Sequence, residues 1–112
     1  MANAFKVKTF DGSATGANTD MTIYTCPAST ETTIIGMTLA NLTGSQVTVD
    51  VKLNNNDGDN VFVVKDAPVP TGSSLVVVGG DQKIVLEASD AIVVQSDTAN
   101  SIDTVLSILE IT

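Results

Sequence analysis

Residues 33–53, TIIGMTLANLTGSQVTVDVKL, alternate apolar and polar side chains in two runs joined by a short Asn/Thr/Gly/Ser turn. A period of two marks a strand with one buried and one wet face, whereas apolar positions on a helix recur every three to four residues. The second run is the cleanest. Val47, Val49, Val51 and Leu53 share one face, and Thr48, Asp50 and Lys52 share the other. In the first run the inward face is either Ile35, Met37 and Leu39, or Ile34 and Ala40 around Gly36.

The same grammar recurs along the chain. Further strands are expected at 4–10, 21–26, 61–65, 75–78, 83–86, 91–95 and 104–111. Pro27 closes the 21–26 strand, because proline cannot donate to a central ladder. Asp57-Gly58 within NNNDGDN supplies the positive φ of a hairpin. Pro68 and Pro70 rule out helix over 66–74, which reads as an extended connection. Leu75 to Val78 is wholly apolar and is expected to be buried on both faces, ending at Gly79-Gly80. No window carries a capped three-four apolar repeat. The expected fold class is therefore all-β: a single antiparallel β-sandwich or jelly roll of about eight strands, with little or no helix. Residues 1–20 read as an N-terminal arm or edge strand plus a polar loop. Residues 21–112 form the sandwich, and the whole is one domain.

Composition narrows the function classes. Thirteen acidic residues stand against five basic ones, all lysines, for a net charge of −8. Nucleic-acid binding needs clustered Lys and Arg, and only Lys6 and Lys8 lie close together, so no nucleic-acid partner is expected. An anionic membrane surface repels such a chain. No run approaches the ~20 apolar residues of a membrane span, and MANAFKVKTFDG lacks the apolar core of a signal peptide. The expectation is a soluble protein made in the cytoplasm. The acidity itself reads as solubility, or as docking against a basic surface. Cys26 is the one cysteine, so no intrachain disulfide forms, and between Thr25 and Pro27 it reads as a small buried hydrophobe.

Reactive chemistry is scarce. Without histidine the usual base for a nucleophile is missing, and Lys52, Lys65 and Lys83 sit in or beside alternating strands where an exposed lysine is the default. The acidic residues lie mainly at turns, which turn propensity explains. There is no tryptophan and one tyrosine to serve as a sugar platform. Transition metals lack ligands here. Calcium is the one metal with candidate oxygens, at Asn54, Asn56, Asp57 and Asp59. An EF-hand loop counted from Asn54 puts glycine fifth and Lys65 twelfth, so the hairpin turn is the preferred reading. No enzyme activity and no cofactor are expected.

Three segments carry a family resemblance: TIYTCPASTETTIIGMTLANLTGSQVTVDV, DAPVPTGSSLVVVGGDQKIVLEASDAIVVQS and VLSILEIT. Tyr24 to Pro27 forms a Tyr-x-x-Pro strand end, and Ile34 to Asn41 an Ile/Gly/Leu strand closing on Asn. Pro70 to Gly72, Leu86 to Val94 and Ser107 to Glu110 complete the set. In these the chain resembles small β-sandwich virion proteins of tailed bacteriophages, over residues 21–112. One departure is Ala88-Ser89-Asp90, where a glycine often precedes the aspartate, and a changed turn type is expected there. The resemblance implies a virion component, a capsid decoration or cement subunit. The alternative is a neck or tail-fibre module that adheres to a host ligand. Its implied partners are major capsid or other virion proteins and further copies of itself. The candidates for those contacts are Phe5, Val7 and Phe10 near the start and Leu106, Ile108 and Leu109 near the end. The last strand, apolar on both faces, has either one face in the core and one in a contact, or both faces inside the sandwich.

Overall fold

The computed structural model describes residues 2–79 and 83–112. Its elements are β1 (Asn3–Phe10), β2 (Met21–Thr25), β3 (Glu31–Asn41), β4 (Val47–Asn54), β5 (Asn60–Val69), β6 (Ser74–Val78), β7 (Ile84–Leu86), β8 (Ala91–Ser96) and β9 (Ile102–Ile111). Among the described residues there is no helix. Gly80 and Asp81, expected to end the 75–78 strand and to turn the chain, lie outside the described residues.

The strands form two antiparallel sheets, as the alternation requires. The larger is ordered β1-β9-β3-β6, with β7 also on β3, and the smaller β2-β8-β4-β5. β6 takes Met37–Ala40 and β7 takes Thr32–Ile34, so the two are pieces of one broken edge strand. Early and late strands interleave in both sheets. Ala2 and Thr112 exchange backbone hydrogen bonds of 3.1 and 2.9 Å, which joins the two ends of the described chain. The inner faces meet in a core of Ile34, Met37, Leu39, Val47, Val49, Val51, Leu86, Ile92, Val94, Leu106 and Ile108 among others.

Several expectations change. In β3 the inward set is neither alternative alone. Ile34 is buried, then the phase slips and Met37 and Leu39 are buried, because a β-bulge falls between Ile34 and Gly36 against β9. A bulge puts two residues opposite one, so the alternation restarts one position later. Residues 66–69 are strand and not connection: β5 runs on to Val69, with Pro68 opposite Thr48. Proline is tolerated there because β5 is the outer strand of its sheet. Asp66, at φ 53°, sits in the register break that allows this. β6 is not buried on both faces. Val78 is buried but Val76 is exposed, since β6 lies at an edge with one face outward. In the 87–90 turn, Asp90 N donates to Glu87 O at 3.0 Å and Ser89 holds φ 72°. That is the third position of a type II turn, where glycine is at ease, and here a serine holds it.

Candidate interaction surface

Two polar clusters and one apolar face stand out. The first cluster lies inside the β1 end of the sandwich. β1 is an edge strand whose inward side carries Ala4, Lys6, Lys8 and Phe10, opposite the buried Glu110, Ile108, Leu106 and Thr104 of β9. Lys6 Nζ meets Glu110 Oε1 at 2.7 Å, and the Tyr24 hydroxyl donates to Glu110 Oε2 at 2.5 Å. Tyr24 and Thr32 hydroxyls are 2.9 Å apart, and Cys26 Sγ lies 3.3 Å from the Thr32 hydroxyl. The Lys6 ammonium first, and then the tyrosine, hold the Glu110 carboxyl below the usual range. Burial, with the hydrogen bond to Glu110, pushes the Tyr24 hydroxyl up. The cluster ties β1, β2, β3 and β9 together, and each group in it has its partners within the chain. Cys26 is buried, as a small hydrophobe would be.

The second cluster is at the β4–β5 hairpin, where an open groove of about 650 Å³ is lined by Ser29, Glu31, Asn56, Asp57, Glu87 and Asp90 among others. Its polar groups close turns. Asp57 Oδ1 accepts from Asp59 N at 2.9 Å and Asn55 Oδ1 from Asp57 N at 3.1 Å. Asp90 accepts from Asn56 N and Glu87 N, both at 2.9 Å. The calcium candidates Asn54, Asn56, Asp57 and Asp59 thus share one hairpin, with Asn54 opposite Asn60 at its base. Among the described residues no three His, Cys, Asp or Glu side chains are gathered to hold a metal ion.

The apolar face is the outer side of the five-stranded sheet. Register places Phe5, Leu109, Thr33 and Val85 in one row across it. A second row is Val7, Ser107 and Gly36, and a third is Thr9, Val105, Thr38 and Val76. Phe5, Val7, Val76, Val85 and Val105 are between 47% and 78% exposed. No row contains a charge, and Glu31 and Asp103 border the face at its two ends. The outer side of the smaller sheet differs. There Lys52 bonds Asp20 at 3.1 Å, covering the buried Val93 opposite it. Lys65 lies between Asp50 and Asp66 and 4.8 Å from the Phe62 ring centre. One outer face is wet and charged, and the other is dry in composition yet uncovered.

Of the sequence candidates, Phe5 and Val7 lie on this face and Leu109 is half-buried within it. Phe10 packs against the core from the inward side of β1. Leu106 and Ile108 are not surface residues. They are 0% and 1% exposed because the inward phase of β9 runs through Ile102, Thr104, Leu106, Ile108 and Glu110. Sequence reasoning missed Val76, Val85 and Val105, which become neighbours of Phe5 only through strand pairing.

No protein-family model matches the chain, and no curated protein matches it in sequence. Among solved structures, a chain of the acid-stable capsid of Helicobacter pylori bacteriophage KHP30 is similar at a TM-score of 0.51 and 12% identity, over 98% of this chain and 87% of that one. A chain of the disulfide-linked Bacillus endospore appendages reaches a TM-score of 0.47 and 17% identity, over 97% and 84%. The first likeness concerns the fold alone, and the second is too low to establish even that.

Proposed function

We propose that this chain is a structural subunit of a tailed-bacteriophage virion, a capsid decoration protein that stabilises the shell by protein–protein contact and carries out no catalysis. The observation that carries the proposal is the uncharged outer face of the β1-β9-β3-β6/β7 sheet. A chain of net charge −8 keeps every charged side chain off three successive rows and leaves five large apolar ones exposed there. Exposed apolar faces of that kind mark sites of association.

Topology supports the same reading. With β6 and β7 counted as one broken strand, the orders β1-β9-β3-β6 and β2-β8-β4-β5 are those of a jelly roll, an architecture that viral capsid domains share with lectins and others. The fold likeness to a chain of a phage capsid and the sequence resemblance over residues 21–112 point the same way. An adhesive neck or tail module calls for aromatic side chains displayed on loops. All four aromatics, Phe5, Phe10, Tyr24 and Phe62, stand in strands. One edge of each sheet is guarded against edge-to-edge addition, by the inward-pointing Lys6 and Lys8 on β1 and by Pro68 on β5.

The test is quantitative mass spectrometry of purified parent particles. The proposal expects the chain in many copies per particle. Finding it in the host lysate and absent from particles overturns it.

A further inference from the structure

We infer that the uncharged outer face of the five-stranded sheet is a homodimer surface, occupied by the same face of a second copy. The inference deepens the structural reading above and rests on the same face, but it names the occupant. Area is the first argument. From the fractional exposures and side-chain areas of about 150–200 Å² each, the five exposed residues present roughly 500 Å² of apolar surface. That is near the upper limit of about 600 Å² for the largest patch on an ordinary monomer. With Thr9, Thr33, Thr38, Ser107 and the half-buried Leu109 between them, the face approaches the ~800 Å² per partner of a standard interface.

Charge selects the occupant. Two copies each carrying −8 repel when any acidic surface meets its like. The outer side of the smaller sheet, with Asp20, Asp50 and Asp66, is such a surface. The three rows hold only apolar, hydroxyl and glycine positions, so they make no demand of opposite sign and suit themselves. Self-complementarity is what a two-fold interface requires.

Row pairing then sets the axis. Phe5 and Val7 on β1 and Val76 and Val85 on β6 and β7 form the outer columns, with Leu109, Ser107 and Val105 of β9 and Thr33, Gly36 and Thr38 of β3 between them. A two-fold axis in the plane of the face and parallel to the strands lays β1 of one copy over β6 and β7 of the other. Rows are preserved, so Phe5 of one copy meets Val85 of the other, twice. The two sheets then stack about 10 Å apart, as sheets in a sandwich do.

Analytical ultracentrifugation of the full chain tests this, with variants checked by circular dichroism for a retained β-sheet fold. The wild type is expected to be a dimer in the micromolar range, and to tighten with added salt as the repulsion between acidic copies is screened. Phe5→Glu and Val85→Lys each raise the dissociation constant at least ~30-fold, while Phe62→Lys on the other sheet leaves it unchanged. A one-to-one mixture of Phe5→Glu and Val85→Lys chains regains a dimer, because the axis brings the two charges together. A wild type that stays monomeric at about 100 μM, a dimer lost to Phe62→Lys, or a mixture that stays monomeric overturns the inference. A monomer that still appears in particles leaves the structural role standing and removes only this pairing.

Discussion

Gly12 gives the sharpest quantitative test of the packing described here. It is buried in the loop between β1 and β2, where its N–H donates to Asp103 Oδ1 at 2.9 Å. A Cβ built on it falls 1.7 Å from the Ile102 carbonyl oxygen, which is backbone of β9 and has no rotamer to escape into. Carbon and oxygen need well over 3 Å, so Gly12→Ala forces the loop away from β9 by more than an ångström. The shift breaks the hydrogen bond to a carboxylate, worth about 1.5–3 kcal/mol. Residual overpacking adds about 1–3 kcal/mol. Together these give a loss of about 2.5–6 kcal/mol. At roughly 4 °C per kcal/mol for a domain of this size, thermal unfolding followed by circular dichroism should fall by about 10–24 °C. Gly44→Ala is the control, since its Cβ meets nothing within 4 Å, and it should melt with the wild type. A Gly12→Ala protein that melts within about 2 °C of the wild type would refute the close approach of loop and strand.

Two further predictions concern β9. Leu106→Ala empties a fully buried site and should cost ~2–5 kcal/mol, while Val105→Ala, one residue earlier and facing outward, should cost under ~0.5 kcal/mol in the isolated chain. Equal costs in urea titrations contradict the phase assigned to the strand. Glu110 supplies a pH test. Its folded pKa lies below its unfolded value near 4.3, so its contribution to stability is complete above that value and is lost as pH falls through the lower folded one. The gap in melting temperature between wild type and Glu110→Gln should be constant from neutral pH to about 5 and should narrow as the pH falls below the unfolded value. A gap that does not narrow on acidification contradicts the linkage.

Much of this architecture is legible in the chain because strand alternation is a local signal. Val47, Val49 and Val51 declare their face without reference to any partner, and all three are fully buried. What was not legible depends on pairing. The bulge at Ile34–Gly36 is a property of β3 against β9, so alternation alone offered two faces for one strand. β5 continues past Asp66 because its position at a sheet edge tolerates Pro68, and edges exist only once sheets are assembled. Tyr24 and Glu110 are 86 residues apart, and no local pattern announces that they bond. The exposed face had the same obstacle. Phe5 and Val7 stood out singly, but Val76 read as buried on both faces, and Val85 and Val105 had no assigned face until register put all three on the outer side of the sheet. The last strand, apolar on both faces, was legible as a strand while its inward half was not. Leu106 and Ile108 proved to be that half.

The uncharged outer face of the larger sheet is expected to be buried in the assembled particle while the charged face of the smaller sheet meets solvent. Electron cryomicroscopy of the parent particle, with this subunit placed in the density, measures it directly. Phe5, Val7, Val76, Val85 and Val105 are expected under a protein contact, with Asp50, Lys52 and Lys65 on the solvent side. A subunit bound through the smaller sheet, with those five side chains exposed on the particle surface, would contradict it.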